Sequence, residues 1–195
     1  MSEDKYVGRK FETEFKSDEI PQDTRIYEII GLGEKFKKMG LLPDEDGGHA
    51  GNFSFRNSEG FVITAGGKDK GKISQRDFVQ ILKANVDSKK VIVEGEEQPS
   101  SETFAHYLLY AGRKSVNAVI HVHDGIILEN AHKLNIKSTE KKHPYGTIEL
   151  ANDIVKSMGK EHFIAVKGHG VIAVGKSLWE AGKLIETIHH AAENI

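Results

Sequence analysis

Apolar positions along this chain first repeat with a helical period. Ile26, Ile29, Ile30, Gly33 and Phe36 recur at that spacing, which predicts a helix over about residues 24–39 with one buried stripe. From residue 52 the period shortens to two. Asn52-Phe53-Ser54-Phe55-Arg56 alternates polar with apolar, residues 57–60 have turn chemistry, and Phe61-Val62-Ile63-Thr64 returns, so a β-hairpin is expected. Two more strands are read over 78–86 and 91–94, joined by a turn at Asp87-Ser88. Beyond Pro99 the two periods interleave. A helix should start at Pro99-Ser100-Ser101 and run to about Ala111, followed by a strongly apolar strand over 117–123. Asp124 can cap a helix reaching about Leu134, residues 147–158 form an amphipathic helix, and Ser177 caps a last one. Short strands over 163–166 and 171–174 flank Gly168-His169-Gly170.

This order gives an α/β class with a mixed sheet covered by helices. The polar stretch 1–21, ending in Ile20-Pro21, reads as a partly extended leader segment, and 22–195 as a single domain. Gly47-Gly48 and Gly51 open the strand-rich region. Gly31 and Gly33 have no strand before them and no third glycine behind, so they read as small residues at a helix contact rather than a phosphate loop.

Composition narrows the chemistry. The 195 residues are 38% hydrophobic and 29% charged, the balance of a globular protein with one sizeable core. A net charge of -2 with both signs interspersed argues against a nucleic-acid partner and against an anionic membrane. No apolar run approaches the roughly 20 residues of a membrane span, and the polar N-terminus lacks a secretory apolar stretch, so a cytoplasmic protein is expected. With no cysteine, disulfides, thiolate nucleophiles and cysteine zinc sites are excluded, and any metal must be held by nitrogen and oxygen. Ten histidines supply the nitrogen.

In Val119-Ile120-His121-Val122-His123, strand alternation sends His121 and His123 to one face, with Cα atoms roughly 6.5 Å apart at a rise of about 3.3 Å per residue. Two such imidazoles can converge on one ion, or hydrogen-bond within a polar cleft. His169, between two glycines, sits where the backbone turns sharply and another group approaches closely; it is either an incidental histidine in a tight connection or a third imidazole. With Ser100 or Ser101 as N-cap, Glu102 falls in the first helical turn, where the helix dipole favours a carboxylate. Its functional alternative is an oxygen ligand or base, beside serines and amides that bind an anion. His106, at i+4 from Glu102, is expected to make a hydrogen bond along the helix face.

Taken together and in this order, the motifs resemble the class II aldolase/adducin family over roughly Ile26 to Glu193. The carriers are Gly51-Asn52-Phe53-Ser54-Phe55-Arg56, Thr64-Ala65-Gly66-Gly67, Pro99-Ser100-Ser101-Glu102 with His106 and Tyr110, and His121-Val122-His123. Tyr145-Gly146-Thr147 with Leu150-Ala151, Gly168-His169-Gly170 and Gly175-Lys176-Ser177-Leu178-Trp179-Glu180-Ala181 follow. The resemblance implies a three-layer α/β/α sandwich around a mixed, mostly antiparallel sheet, and a homotetramer with active sites near subunit interfaces. It implies one divalent metal per subunit, commonly Zn2+, held by His121, His123, His169 and Glu102. It also implies a phosphate site at Asn52, Gly66, Gly67, Ser100 and Ser101, and makes Glu102 the catalytic proton carrier.

The chain departs from that pattern in places. Where family aldolases have a tyrosine and the epimerase an aspartate, about four residues before the glycine corresponding to Gly146, it has Lys142, which leaves His143 and Tyr145 as nearby general-acid candidates. The usual proline after the His-x-His motif is Asp124, for which helix capping is the simplest account. His189 and His190 on the last helix read as structural or interfacial. The leading expectation is therefore metal-dependent aldol cleavage of a ketose 1-phosphate of the L-fuculose-1-phosphate kind, giving dihydroxyacetone phosphate and an aldehyde. An epimerase, dehydratase or decarboxylase acting on a related sugar phosphate, or a non-catalytic adducin-like interaction module, are the alternatives.

Overall fold

The computed structural model describes residues 9–45 and 48–195, so residues 1–8 of the expected leader and Gly47 lie outside it. Eight strands form one sheet in the order β1-β7-β6-β5-β4-β8-β10-β9. These are β1 (Glu12–Ser17), β4 (Asn52–Asn57), β5 (Gly60–Thr64), β6 (Phe78–Asn85), β7 (Lys90–Glu94), β8 (Ala118–Val122), β9 (Phe163–Val166) and β10 (Gly170–Gly175). β2 (Asp44–Glu45) and β3 (Gly48–His49) make a separate two-stranded ribbon. Every pairing in the large sheet is antiparallel except β1 on β7, so the sheet is mixed and mostly antiparallel.

Helices cover both faces. α2 (Thr103–Gly112) and α4 (Ile148–Met158) close one core, in which Phe104, Leu109 and Ile154 meet Ile63, Val79 and Val119. α1 (Arg25–Lys38), α3 (Gly125–Asn130) and α5 (Leu178–Glu193) close the other, where Ile29, Phe36 and Ile185 meet Phe53, Ile120 and Val122. This is the α/β/α sandwich expected of the resemblance. Strand alternation does the partitioning: along β8, Ile120 and Val122 enter one core while Val119 enters the other, on the face from which His121 projects.

The structure differs from the sequence reading, or adds to it, at three local points. The stretch 12–17 is extended as expected and, beyond that reading, pairs in parallel with β7 at the sheet edge. α3 ends at Asn130 rather than near Leu134, and the chain turns through Asn135, whose left-handed φ of 53° cannot continue a helix. α2 begins one or two residues later than expected, with Glu102 as its N-cap residue instead of a residue of its first turn. That last difference matters, because the Glu102 side chain makes no cap hydrogen bond and is directed elsewhere.

Candidate metal centre

The register around β8 assembles the site. His121 lies opposite Asn52 on β4 on one side and opposite Ile172 on β10 on the other. His123 follows β8, and its backbone N–H donates to the Leu41 carbonyl at 3.0 Å. His169 sits in the turn between β9 and β10, where its N–H donates to Val166 O at 3.0 Å. Its glycine neighbours have separate reasons. Gly168 holds a φ of +68°, and a Cβ at Gly170 would stand 2.4 Å from the Val122 carbonyl oxygen and 2.8 Å from the His121 ring. The two glycines therefore let the turn close directly onto the strand histidines.

The three imidazoles meet through their Nε2 atoms. His121 Nε2 is 3.0 Å from His123 Nε2 and 3.2 Å from His169 Nε2. Glu102 joins them, with Oε2 3.2 Å from His121 Nε2 and Oε1 3.1 Å from His169 Nε2. An ion held tetrahedrally at about 2.0–2.1 Å would put its ligands roughly 3.3–3.4 Å apart, close to these edges.

Protonation argues the same way. His121 Nδ1 stands 3.0 Å from the Val171 carbonyl, which can only accept, so the ring proton is on Nδ1 and Nε2 presents a bare lone pair. Burial pushes the His121 pKa down to about 3 against the pull of Glu102, so the ring is neutral. Burial alone would raise the Glu102 carboxyl, but His121, His169 and the Asn52 hydrogen bond together hold it well below its ordinary value. A carboxylate and a lone pair thus converge with two further imidazole nitrogens, a donor set that suits a divalent cation.

Beside this centre is a cavity of about 130 Å³, lined by Asn52, Gly66, Gly67, Lys70, Ser100, Ser101, Glu102, His123, Tyr145 and His169 among others. All the residues expected at a phosphate site from the resemblance therefore border one space, though the Asn52 amide is committed to neighbours. Its Nδ2 donates to Glu102 Oε2 at 2.7 Å and its Oδ1 lies 2.6 Å from His106 Nε2. His106 accordingly bonds to Asn52 and Ser54 rather than along the helix face to Glu102.

Lys70 was not singled out in the sequence. It is 2% exposed, its Nζ donates to the Lys68 carbonyl at 2.6 Å, and among the described residues no carboxylate lies within ion-pair distance of it. Burial pushes its pKa down to about 8. A lysine inside a Gly-Gly-Lys-Asp-Lys-Gly run looks like solvated loop from the sequence. The only available signal was the glycine pattern that lets such a loop fold inward.

The two general-acid candidates separate. Tyr145 borders the cavity, whereas His143 does not and is held by Asp153 at 3.0 Å. Lys142 lies with its aliphatic carbons against Gly168. Asp124 caps α3, accepting from Ile127 N at 2.9 Å, and binds His189 at 2.6 Å, while the exposed His190 ring meets Glu193 at 2.9 Å on α5.

Comparison with known proteins points to one family. The family model described as Class II Aldolase and Adducin N-terminal domain matches residues 28–195. A methylthioribulose-1-phosphate dehydratase from Pseudoalteromonas translucida is 26% identical over 193 residues, covering 85% of this chain and 87% of that protein. An L-fuculose phosphate aldolase from Methanococcus maripaludis is 29% identical over 161 residues, covering 75% and 84% respectively. Among solved structures, an L-fuculose 1-phosphate aldolase superposes with a TM-score of 0.72 at 26% identity, covering 89% of this chain and 85% of that one.

Proposed function

The chain belongs to the class II aldolase and adducin family as an enzyme of the lyase kind, and from there we propose that it cleaves and re-forms a carbon–carbon bond of a ketose 1-phosphate. The products are dihydroxyacetone phosphate and an aldehyde, with L-fuculose 1-phosphate as the type of substrate. The observation that carries this reading is the meeting of the Glu102 carboxylate with Nε2 of His121, His123 and His169 at the edge of a cavity that also holds a buried cation, Lys70.

A divalent metal, when bound by these four residues, supplies Lewis-acid polarisation of a substrate carbonyl. The chain's own groups do the rest. Glu102 is anionic, buried and beside the cavity, so it is the group that carries a proton to and from the substrate carbon next to the carbonyl. Ser100 and Ser101 offer hydroxyls and Gly67 a backbone amide to a phosphate near the start of α2, Gly66 lines the same space with its amide committed to the Gln98 carbonyl, and Lys70 adds the positive charge. Tyr145, on the same cavity, is the better placed of the two general-acid candidates. Zinc as the ion and a homotetramer with sites near subunit interfaces, both carried by the family likeness, complete the reading, with the cytoplasm as the expected compartment.

A second reading is dehydration of a ketose 1-phosphate on the same site. It is favoured by the likeness to the methylthioribulose-1-phosphate dehydratase and by Lys142 at a position where the resemblance expects a tyrosine or aspartate. One assay separates them: metal-loaded protein is followed by NMR against a panel of ketose 1-phosphates and pentulose 5-phosphates, with and without chelator. Chelator-sensitive release of dihydroxyacetone phosphate is the expected result. Chelator-sensitive loss of water from the sugar phosphate would replace aldol cleavage with dehydration. An unchanged panel, with no metal retained by the protein, would leave the family's non-catalytic branch.

A further inference from the structure

Glu102, His106 and Tyr110 follow one another at four-residue steps along the start and body of α2, and Asn52 and Ser54 at a two-residue step along β4. Four residues of helix rise about 6 Å and two residues of strand about 6.6 Å, so two such stacks can mesh rung by rung. Here they do, with all five residues 6% exposed or less. Asn52 Nδ2 donates to Glu102 Oε2 at 2.7 Å, and Asn52 Oδ1 stands 2.6 Å from His106 Nε2. Ser54 Oγ then lies 2.6 Å from His106 Nδ1 and 2.7 Å from the Tyr110 hydroxyl oxygen.

The proton positions follow from the ends. A carboxylate only accepts, so Asn52 must present its NH2 to Glu102 and its carbonyl oxygen to His106. That carbonyl also only accepts, which places the His106 proton on Nε2 and leaves Nδ1 as an acceptor for the Ser54 hydroxyl. Ser54, having donated its proton, must accept from Tyr110. Every donor in the series therefore points toward Glu102. Burial keeps both rings in these states, pushing the His106 pKa down to about 4 and the Tyr110 hydroxyl well above its ordinary value. In a low-dielectric interior such a chain is cooperative, and reversing one member breaks its neighbours.

We propose that Tyr110, Ser54 and His106 are positioning residues that lock the Asn52 amide and, through it, hold the Glu102 carboxylate at the metal centre. The inference rests on Glu102 serving that centre as proposed above. It also gives Asn52 a duty that sequence resemblance alone does not, since its amide is oriented by His106 before any phosphate arrives.

Two measurements test it without a known substrate. The first is ¹⁵N NMR of the zinc-loaded wild-type protein, which reads the His106 tautomer directly. A proton on Nε2 is expected, and a proton on Nδ1 would overturn the chain. The second is a Co2+ titration of metal-free protein followed by visible absorption, comparing wild type with Glu102→Gln, His106→Leu, His106→Gln and Tyr110→Phe. His106→Leu should weaken Co2+ binding by about 10- to 100-fold, the usual cost of losing an outer partner of a ligand, and should shift the absorption band. His106→Gln, which keeps one donor and one acceptor, should recover most of both. Tyr110→Phe should lie between, and it serves as the test if His106→Leu does not fold. If Glu102→Gln alters binding while the His106 and Tyr110 variants match wild type, the positioning role is wrong and the metal centre stands. If Glu102→Gln itself binds Co2+ with unchanged affinity and spectrum, Glu102 is no ligand, and the underlying reading falls together with this one.

Discussion

His121 and Asp124 stand three residues apart, yet each anchors a buried histidine–carboxylate group of opposite character. At Asp124 the polar atoms are matched: Oδ1 accepts from Ile127 N and Oδ2 meets His189 Nδ1 at 2.6 Å. At His121 the ring proton is spent on the Val171 carbonyl, and Nε2 faces two other imidazole nitrogens and a carboxylate at 3.0–3.2 Å. The first arrangement is a closed hydrogen-bond account. The second brings three imidazole nitrogens and a carboxylate to one point, a donor set that a cation could complete. The same contrast recurs among single charges. Asp153 is surrounded by donors from Glu140 N, Lys141 N, Ser157 and His143, whereas buried Lys70 has one carbonyl. Residue type thus says little about role, whereas the match of donors to acceptors says a good deal.

The contrast can be broken by substitution. The largest effect is expected from Glu102→Gln, which keeps the shape of the side chain and removes the proposed proton carrier. Turnover should fall on the order of 10²- to 10⁴-fold while the thermal midpoint stays near that of wild type, as steady-state assays and calorimetry would show. Asp124→Ala should do the reverse. It removes a helix cap and leaves His189 without its partner, at a cost of about 3 kcal/mol in a urea titration, yet one zinc per chain should remain by elemental analysis.

Lys70→Met comes next. The substrate KM should rise about 10- to 100-fold, the worth of a lost charge-assisted hydrogen bond, with kcat moving less. The same variant should be more stable than wild type in phosphate-free buffer at neutral pH. Because the folded-state pKa of Lys70, about 8, lies below its unfolded value, the buried charge costs stability at pH below 8, and the cost is relieved as pH rises toward about 10.4. The melting temperatures of the two proteins should therefore converge in alkali.

The smallest effect concerns Asp153. Burial works to raise its carboxyl, but the surrounding hydrogen bonds hold the folded-state pKa at about 2. A depressed acid stabilises the fold above its unfolded value, near 3.9, and that contribution is lost as pH falls toward about 2. Asp153→Asn should lower the neutral plateau modestly and flatten the acid limb of a stability profile in that window, so that the two proteins' profiles meet near pH 2.

Much of the frame could be read from the chain alone, because its strands alternate strictly and its helices carry capping residues. Asp124 and Ser177 accept hydrogen bonds from Ile127 N and Glu180 N where the sequence suggests caps, and the β4–β5 hairpin turns at the expected residues. The site was legible in its strand part, since alternation fixes which way His121 points. It was less so at Glu102, where helix-start statistics place the carboxylate in the first turn while its side chain turns to the imidazoles and Asn52. His106 and Lys70 depend on tertiary partners. No local rule brings β4 beneath α2, or folds a lysine inward from a glycine-rich loop.

Gly33 on α1 has a further consequence. A Cβ there would stand 2.0 Å from the backbone carbonyl oxygen of Lys70, so helix and loop touch backbone to backbone. The first helix is in effect the back plate against which the cation-bearing loop is pressed. A single methyl group at residue 33, on a helix that contributes no lining side chain to the cavity, would act as a shim behind the loop, shifting the lysine and changing substrate affinity from the far side of the pocket wall.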